Sequence, residues 1–167
     1  MREIKKMRYA ALKYNDIVDC ENGICVSYWC QGCPIHCKGC HNQETWDFNG
    51  GQEIDRDELV SKIIAALREN GIARSFSVLG GEPLAAQNLN NTIYIVEKVR
   101  NTYPNIKIYL WTGYVLENFN EEQKTILPLI DILIDGPYLE EKRDITLKLR
   151  GSTNQRITKQ GVLTNNV

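Results

Sequence analysis

The chain has 167 residues, a length that most simply makes one domain spanning 1–167. Hydrophobic residues make up 43% and charged residues 25%, a balance that suits a globular protein and excludes a disordered or fibrous one. The formal net charge is −1, which removes the electrostatic case for a nucleic-acid or anionic-membrane partner.

No apolar run approaches a membrane span. The start, Met1-Arg2-Glu3-Ile4-Lys5-Lys6, has no apolar stretch behind its charges and does not read as a secretory signal, so a cytoplasmic location is expected. All 6 cysteines fall between positions 20 and 40. That spacing is too tight to staple the fold and points to metal or redox chemistry.

In chain order, residues 1–23 are mixed and polar and end on the turn signal Asn22-Gly23. Ile24 to Trp29 reads as a strand. It runs into a loop that holds Cys33, Cys37 and Cys40, with the turn residues Pro34, Lys38 and Gly39 between them. Asn49-Gly50-Gly51 breaks the chain. A helix follows, with Asp55 and Glu58 spaced as a capping box and Leu59, Val60, Ile63, Ile64 and Leu67 as its apolar stripe; Asn70-Gly71 ends it.

Phe76 to Leu79 is the next strand and stops at Gly80-Gly81-Glu82-Pro83. Leu89, Ile93, Val96, Val99 and Tyr103 mark a second helix. Ile106 to Leu110 is a third strand, ending at Trp111-Thr112-Gly113-Tyr114. Glu121 to Leu129 is expected to be a short helix limited by Pro128. Ile130 to Ile134 is a fourth strand, ending at Asp135-Gly136-Pro137-Tyr138. Strands that alternate with helices predict an α/β fold with a parallel sheet. Sites in such folds lie at the carboxyl ends of the strands, so the four loops are expected to meet on one face. A closed eight-stranded barrel takes ~250 residues. The shorter chain predicts a partial barrel, open on one side.

Three thiolates on one loop suit a soft metal centre. A cubane 4Fe–4S cluster takes one ligand per iron, so three cysteines leave one iron for a molecule that is not a side chain. The spacing Cys33-x-x-x-Cys37-x-x-Cys40 resembles the cluster loop of the radical S-adenosylmethionine (SAM) enzymes. Gly80-Gly81-Glu82 after the second strand resembles the motif that holds the amino group of SAM in that superfamily. Gly39, Cys40 and His41 fall where relatives approach the adenine. Cys30 and Cys33 form a Cys-x-x-Cys pair, open to reading as a fourth ligand, a zinc half-site or a redox pair. We read Cys30 as a buried strand-end residue. Neither His36 nor His41 is placed as a general base, and no catalytic side chain is assigned.

The order of Trp111-Thr112-Gly113-Tyr114, Asp135-Gly136-Pro137-Tyr138 and Arg150-Gly151-Ser152-x-Asn154-Gln155-Arg156 is similar to that of the anaerobic ribonucleoside-triphosphate reductase activating proteins. The match runs from about Asp16 to Arg156. Where relatives carry a Gly-x-Arg-x-Ser pattern, this chain has Gly23-Ile24-Cys25-Val26-Ser27. The resemblance implies a partial, open (β/α) barrel of the radical SAM type. It also implies a 4Fe–4S cluster on Cys33, Cys37 and Cys40, with SAM at the open iron. Reductive cleavage of SAM would give a 5′-deoxyadenosyl radical that makes a glycyl radical on the large reductase subunit. A one-electron donor such as flavodoxin or ferredoxin is implied as a second partner. Alternatives are an activase of another glycyl radical enzyme of the pyruvate formate-lyase type, a small-molecule radical SAM enzyme, and a non-enzymatic electron carrier or zinc module.

Overall fold

The computed structural model describes residues 3–163; Met1, Arg2 and the last four residues of the expected 1–167 domain lie outside them. The strands are β1 (Lys6–Asp16), β2 (Cys25–Cys30), β3 (Gln52–Asp55), β4 (Ser75–Gly80), β5 (Ile108–Thr112), β6 (Ile132–Asp135) and β7 (Arg156–Lys159). They form one sheet in the order β3-β1-β2-β4-β5-β6-β7.

The four strands expected from sequence are β2, β4, β5 and β6, and they are parallel neighbours. Cys25 pairs with Ser75, Phe76 with Ile108, and Tyr109 with Ile132. The expectation of a purely parallel sheet needs correction. β1 joins β2 antiparallel, with Tyr9 opposite Cys30, and β3 joins β1, with Met7 opposite Ile54. β7 closes the other edge antiparallel, with Ile134 opposite Ile157. These strands escape sequence reading for a physical reason. β1 buries Met7, Tyr9 and Asp16, but Lys6, Lys13, Tyr14 and Asn15 face solvent. Antiparallel strands of this kind lack the continuous apolar run of a strand buried on both faces.

Helices α1 (Arg56–Ala66) and α2 (Ala86–Thr102) cover one face of the sheet. The Asp55 carboxylate accepts from Glu58 N at 3.3 Å, which is the N-cap bond of the expected capping box. In α2, Thr92 and Ile95 are buried while Ile93 is only partly so, which rotates the core face slightly from the expected stripe. The third helix is shorter than expected. α3 (Glu121–Lys124) carries a capping box between Asn120 and Gln123, and the chain then turns through a 3-10 segment, Leu127–Leu129. Pro128 has no N–H to continue an α-helix there.

Side chains alternate across each strand. Val26, Tyr28, Phe76, Val78, Ile108, Leu110 and Leu133 pack under α1 and α2. Cys25, Tyr109, Ile132 and Ile134 point the other way and gather with Cys20 under Trp111, Leu149 and Ile157. Among the described residues no helix is long and apolar enough to cross a membrane.

Candidate metal and cofactor site

The loops that follow β2, β4, β5 and β6 meet at one cleft with a volume of about 170 Å³. Cys33, Cys37 and Cys40 line it, facing Gly80, Gly81 and Glu82 across the gap. Trp111, Thr112 and Gly113 form a third wall, and Gly136 and Tyr138 a fourth. The expectation that four loops share a face therefore holds, and it holds because all four strands run in the same direction.

The cysteine loop is tied at its root. Gly32 N donates to Thr45 O at 2.7 Å and Cys33 N to Trp46 O at 3.1 Å. Asn42 N donates to Cys40 Sγ at 3.4 Å. All three thiols are half-buried and free. Burial pushes the Cys33 and Cys37 thiols up, partly offset by backbone hydrogen bonds from His36 and Ile35 to Cys33 and from Tyr138 to Cys37. A cation must displace their protons to bind.

Among the described residues no three His, Cys, Asp or Glu side chains converge tightly enough to hold a single metal ion. A cubane cluster asks for a different arrangement. Each thiolate binds its own iron, so the thiols must surround a volume and not a point. Three soft donors on one loop around an open cleft fit that demand.

Cys30 is placed otherwise. It is buried in the helix-covered core, where burial holds its thiol well above the usual range, and it does not line the cleft. Cys20 and Cys25 are buried in the cluster on the opposite face of the sheet.

The glycines of the β4 loop have a duty that sequence reasoning missed. Gly80 has φ +111°, and a Cβ there would lie 2.6 Å from Cys30 N. A Cβ on Gly81 would strike Gly32 O. Gly81 N donates to Cys30 O at 3.0 Å and Glu82 N to Gly32 O at 2.8 Å. The β4 loop thus lies directly on the root of the cysteine loop, and side chains are excluded by backbone as well as by any ligand.

The Glu82 side chain is buried beneath the cleft. One oxygen accepts from Leu84 N at 2.9 Å and Thr112 Oγ1 at 2.7 Å, the other from Gly113 N at 2.6 Å. Burial pushes its carboxyl up to about 7 despite these donors. Glu82 therefore welds the β4 loop to the β5 loop. Gly39 and His41 do not line the cleft. Gly39 faces the Glu140 side chain, and His41 tilts against Tyr138 with ring centres 5.5 Å apart. His36 is exposed and stacks on Trp46 at 4.3 Å.

Four further residues shape the site and were not singled out in the sequence as site residues. Asn88 of α2 joins the cysteine loop to the β4 loop. Trp46 lines the cleft with its buried Nε1 lacking a partner. Tyr138 forms part of the wall. Gln155 also lines the cleft, and its Nε2 donates to Gly136 O at 3.2 Å while Asn154 Nδ2 donates to Pro137 O at 2.8 Å. The Gly-Ser-x-Asn-Gln stretch is thus a brace for the β6 loop. Its polar composition was legible, but its target was not.

Residues 21–158 match the family model described as a 4Fe-4S single cluster domain. The chain is 41% identical over 127 residues to the anaerobic ribonucleoside-triphosphate reductase-activating protein of Vibrio cholerae, covering 75% of this chain and 81% of that protein. It is 36% identical to the protein of that name from Haemophilus influenzae, covering 90% and 97% of the two chains. The protein of that name from Enterobacteria phage T4 is 34% identical, with 87% and 93% covered.

Proposed function

This chain belongs to the anaerobic ribonucleoside-triphosphate reductase-activating proteins, and from that membership we propose that it is a radical SAM activase. In this reading Cys33, Cys37 and Cys40 hold a 4Fe–4S cluster and SAM binds beside it. The substrate is a glycine on the large subunit of the anaerobic reductase. The carrying observation is that these three thiols line one cleft at the carboxyl ends of four parallel strands while Cys30 sits in the core. That separation supports three protein ligands and one iron left for SAM. The mixed sheet with its parallel centre supports a partial, open (β/α) barrel of the radical SAM type, folded as one domain.

Cys33, Cys37 and Cys40 would hold the cluster, which together with SAM would supply the one-electron reductive chemistry needed to take an α-hydrogen from glycine. The chain's own residues bind, orient and exclude water. The N–H groups of Gly81 and Glu82 are spent on the cysteine loop, so neither is left to donate to a bound carboxylate. Trp46 Nε1–H is a donor at the cleft wall still in need of an acceptor. Glu82 holds the β4 and β5 loops at one spacing. Gly39 would meet the adenine through its backbone and His41 would stand beside it, at the edge of the cleft where its ring tilts against Tyr138. No acid–base side chain is required. A one-electron donor such as flavodoxin or ferredoxin completes the system.

The test is an anaerobic incubation with SAM, reductant and a reductase subunit whose glycine is α-deuterated. A glycyl radical by electron paramagnetic resonance and deuterium in the deoxyadenosine are expected. Full radical yield without deuterium transfer overturns the reading.

A further inference from the structure

A second cavity, of about 300 Å³, opens at the other end of the sheet, where β2, β4 and β5 begin. Arg68, Arg74 and Lys107 line it, and no Asp or Glu does. Arg74 is 4% exposed. Its guanidinium meets only neutral acceptors: Asn15 Oδ1 at 2.9 Å and the carbonyls of Ala66, Glu69 and Ile72 at 2.9 to 3.3 Å. Among the described residues no carboxylate neutralises it. A buried cation without a counter-charge is costly, and an anion beside it relieves that cost.

Two hydroxyls point to the same chemistry. Ser75 lines the cavity, and its buried Oγ has no hydrogen-bond partner. Tyr109 also lines it and accepts from Glu21 N at 3.1 Å, which leaves its own proton to donate. Glu21 is the adjacent acid, but its carboxylate turns to Lys159 Nζ at 3.8 Å. At the rim, the Arg68 guanidinium lies over the Tyr103 ring at 4.3 Å, and Lys107 is exposed. The cavity thus offers charge and donors without a competing carboxylate.

We propose that this cavity binds a small phosphate-bearing anion. Arg74 supplies fixed positive charge from behind, Ser75 and Tyr109 donate hydroxyl protons, and Arg68 and Lys107 close over the ligand from the rim. The site is separate from the cleft and does not depend on the radical SAM reading.

The test is isothermal titration of the full chain, cluster loaded and anaerobic, with inorganic phosphate in one arm and adenosine monophosphate in the other. Ionic strength is matched with chloride. Saturable binding is expected. The double variant Arg68→Gln/Lys107→Gln changes only exposed rim residues and should weaken binding by roughly tenfold or more. Ser75→Ala should weaken it by about threefold. SAM cleavage by both variants should match that of the parent. Tighter binding of the nucleotide assigns the site to phosphate esters, and equal binding assigns it to phosphate itself; either upholds it. No saturable heat with either anion, or equal affinity in the double variant, overturns it.

Discussion

Asn88 Nδ2 donates to Gly32 O at 3.0 Å, and the same amide donates to Glu82 O at 3.0 Å. One helical side chain therefore sets the spacing between the cysteine loop and the β4 loop. Asn88→Ala removes one of two donors from each carbonyl, since Glu82 N still reaches Gly32 O and Ala85 N still reaches Glu82 O, and should cost roughly 0.5–1.5 kcal/mol per lost bond. Denaturant unfolding of the iron-free chain measures this. The reduced holoprotein should also show an altered cluster spectrum on adding SAM, because the two loops no longer hold a fixed distance. A variant with parental stability and spectrum would make the amide a bystander.

Iron content separates the four nearby cysteines. Reconstituted parent should hold about four irons per chain, the content of one cubane cluster. Cys33→Ser, Cys37→Ser and Cys40→Ser should retain almost none. Cys30→Ser should keep its iron and lose stability instead, because a hydroxyl then replaces a thiol in the core. Equal iron loss in Cys30→Ser and Cys37→Ser would favour a four-cysteine site.

Gln155 tests the brace on the β6 loop. Its Oε1 accepts from Gly151 N at 2.9 Å and from Ser152 N at 3.1 Å. Gln155→Ala removes these bonds and the one to Gly136, at a cost of roughly 1–3 kcal/mol. With the wall at Gly136 and Tyr138 loosened, SAM affinity should fall by about tenfold. Equilibrium binding to the cluster-loaded variant is the measurement, and parental affinity would free this wall of a role in the cofactor site.

The Asp16–Asp19 pair should shape stability against pH. Burial pushes Asp19 up to about 7, helped by the Asp16 carboxylate beside it. Burial also acts on Asp16, but hydrogen bonds from Asp19, Ser27 and the Val18 and Asp19 amides outweigh it and hold that carboxyl down to about 2. Asp19 binds its proton more tightly folded than unfolded, so stability should fall as pH rises from about 4 to about 7. Asp16 does the reverse, so stability should also fall as pH drops from about 4 towards 2. Asp19→Asn should flatten the upper limb. Thermal melts across pH would show this, and an unchanged slope in that variant would refute the pairing.

The parallel centre of the fold was legible in the chain because strands buried on both faces need near-continuous apolar runs, as in Phe76-Ser77-Val78-Leu79 and Ile130 to Ile134. The cysteine loop was legible because chelation by residues close in sequence depends on spacing alone. Other features depended on distant partners. β1 and β7 have weak patterns of their own and become strands through pairing with β2 and β6. Gly80 and Gly81 read as room for a ligand, but their neighbours are the backbones of Cys30 and Gly32. Asn88, Gln155 and the uncompensated charge of Arg74 carry no local signature, because a hydrogen bond or a missing counter-ion across tens of residues exists only once the chain has folded.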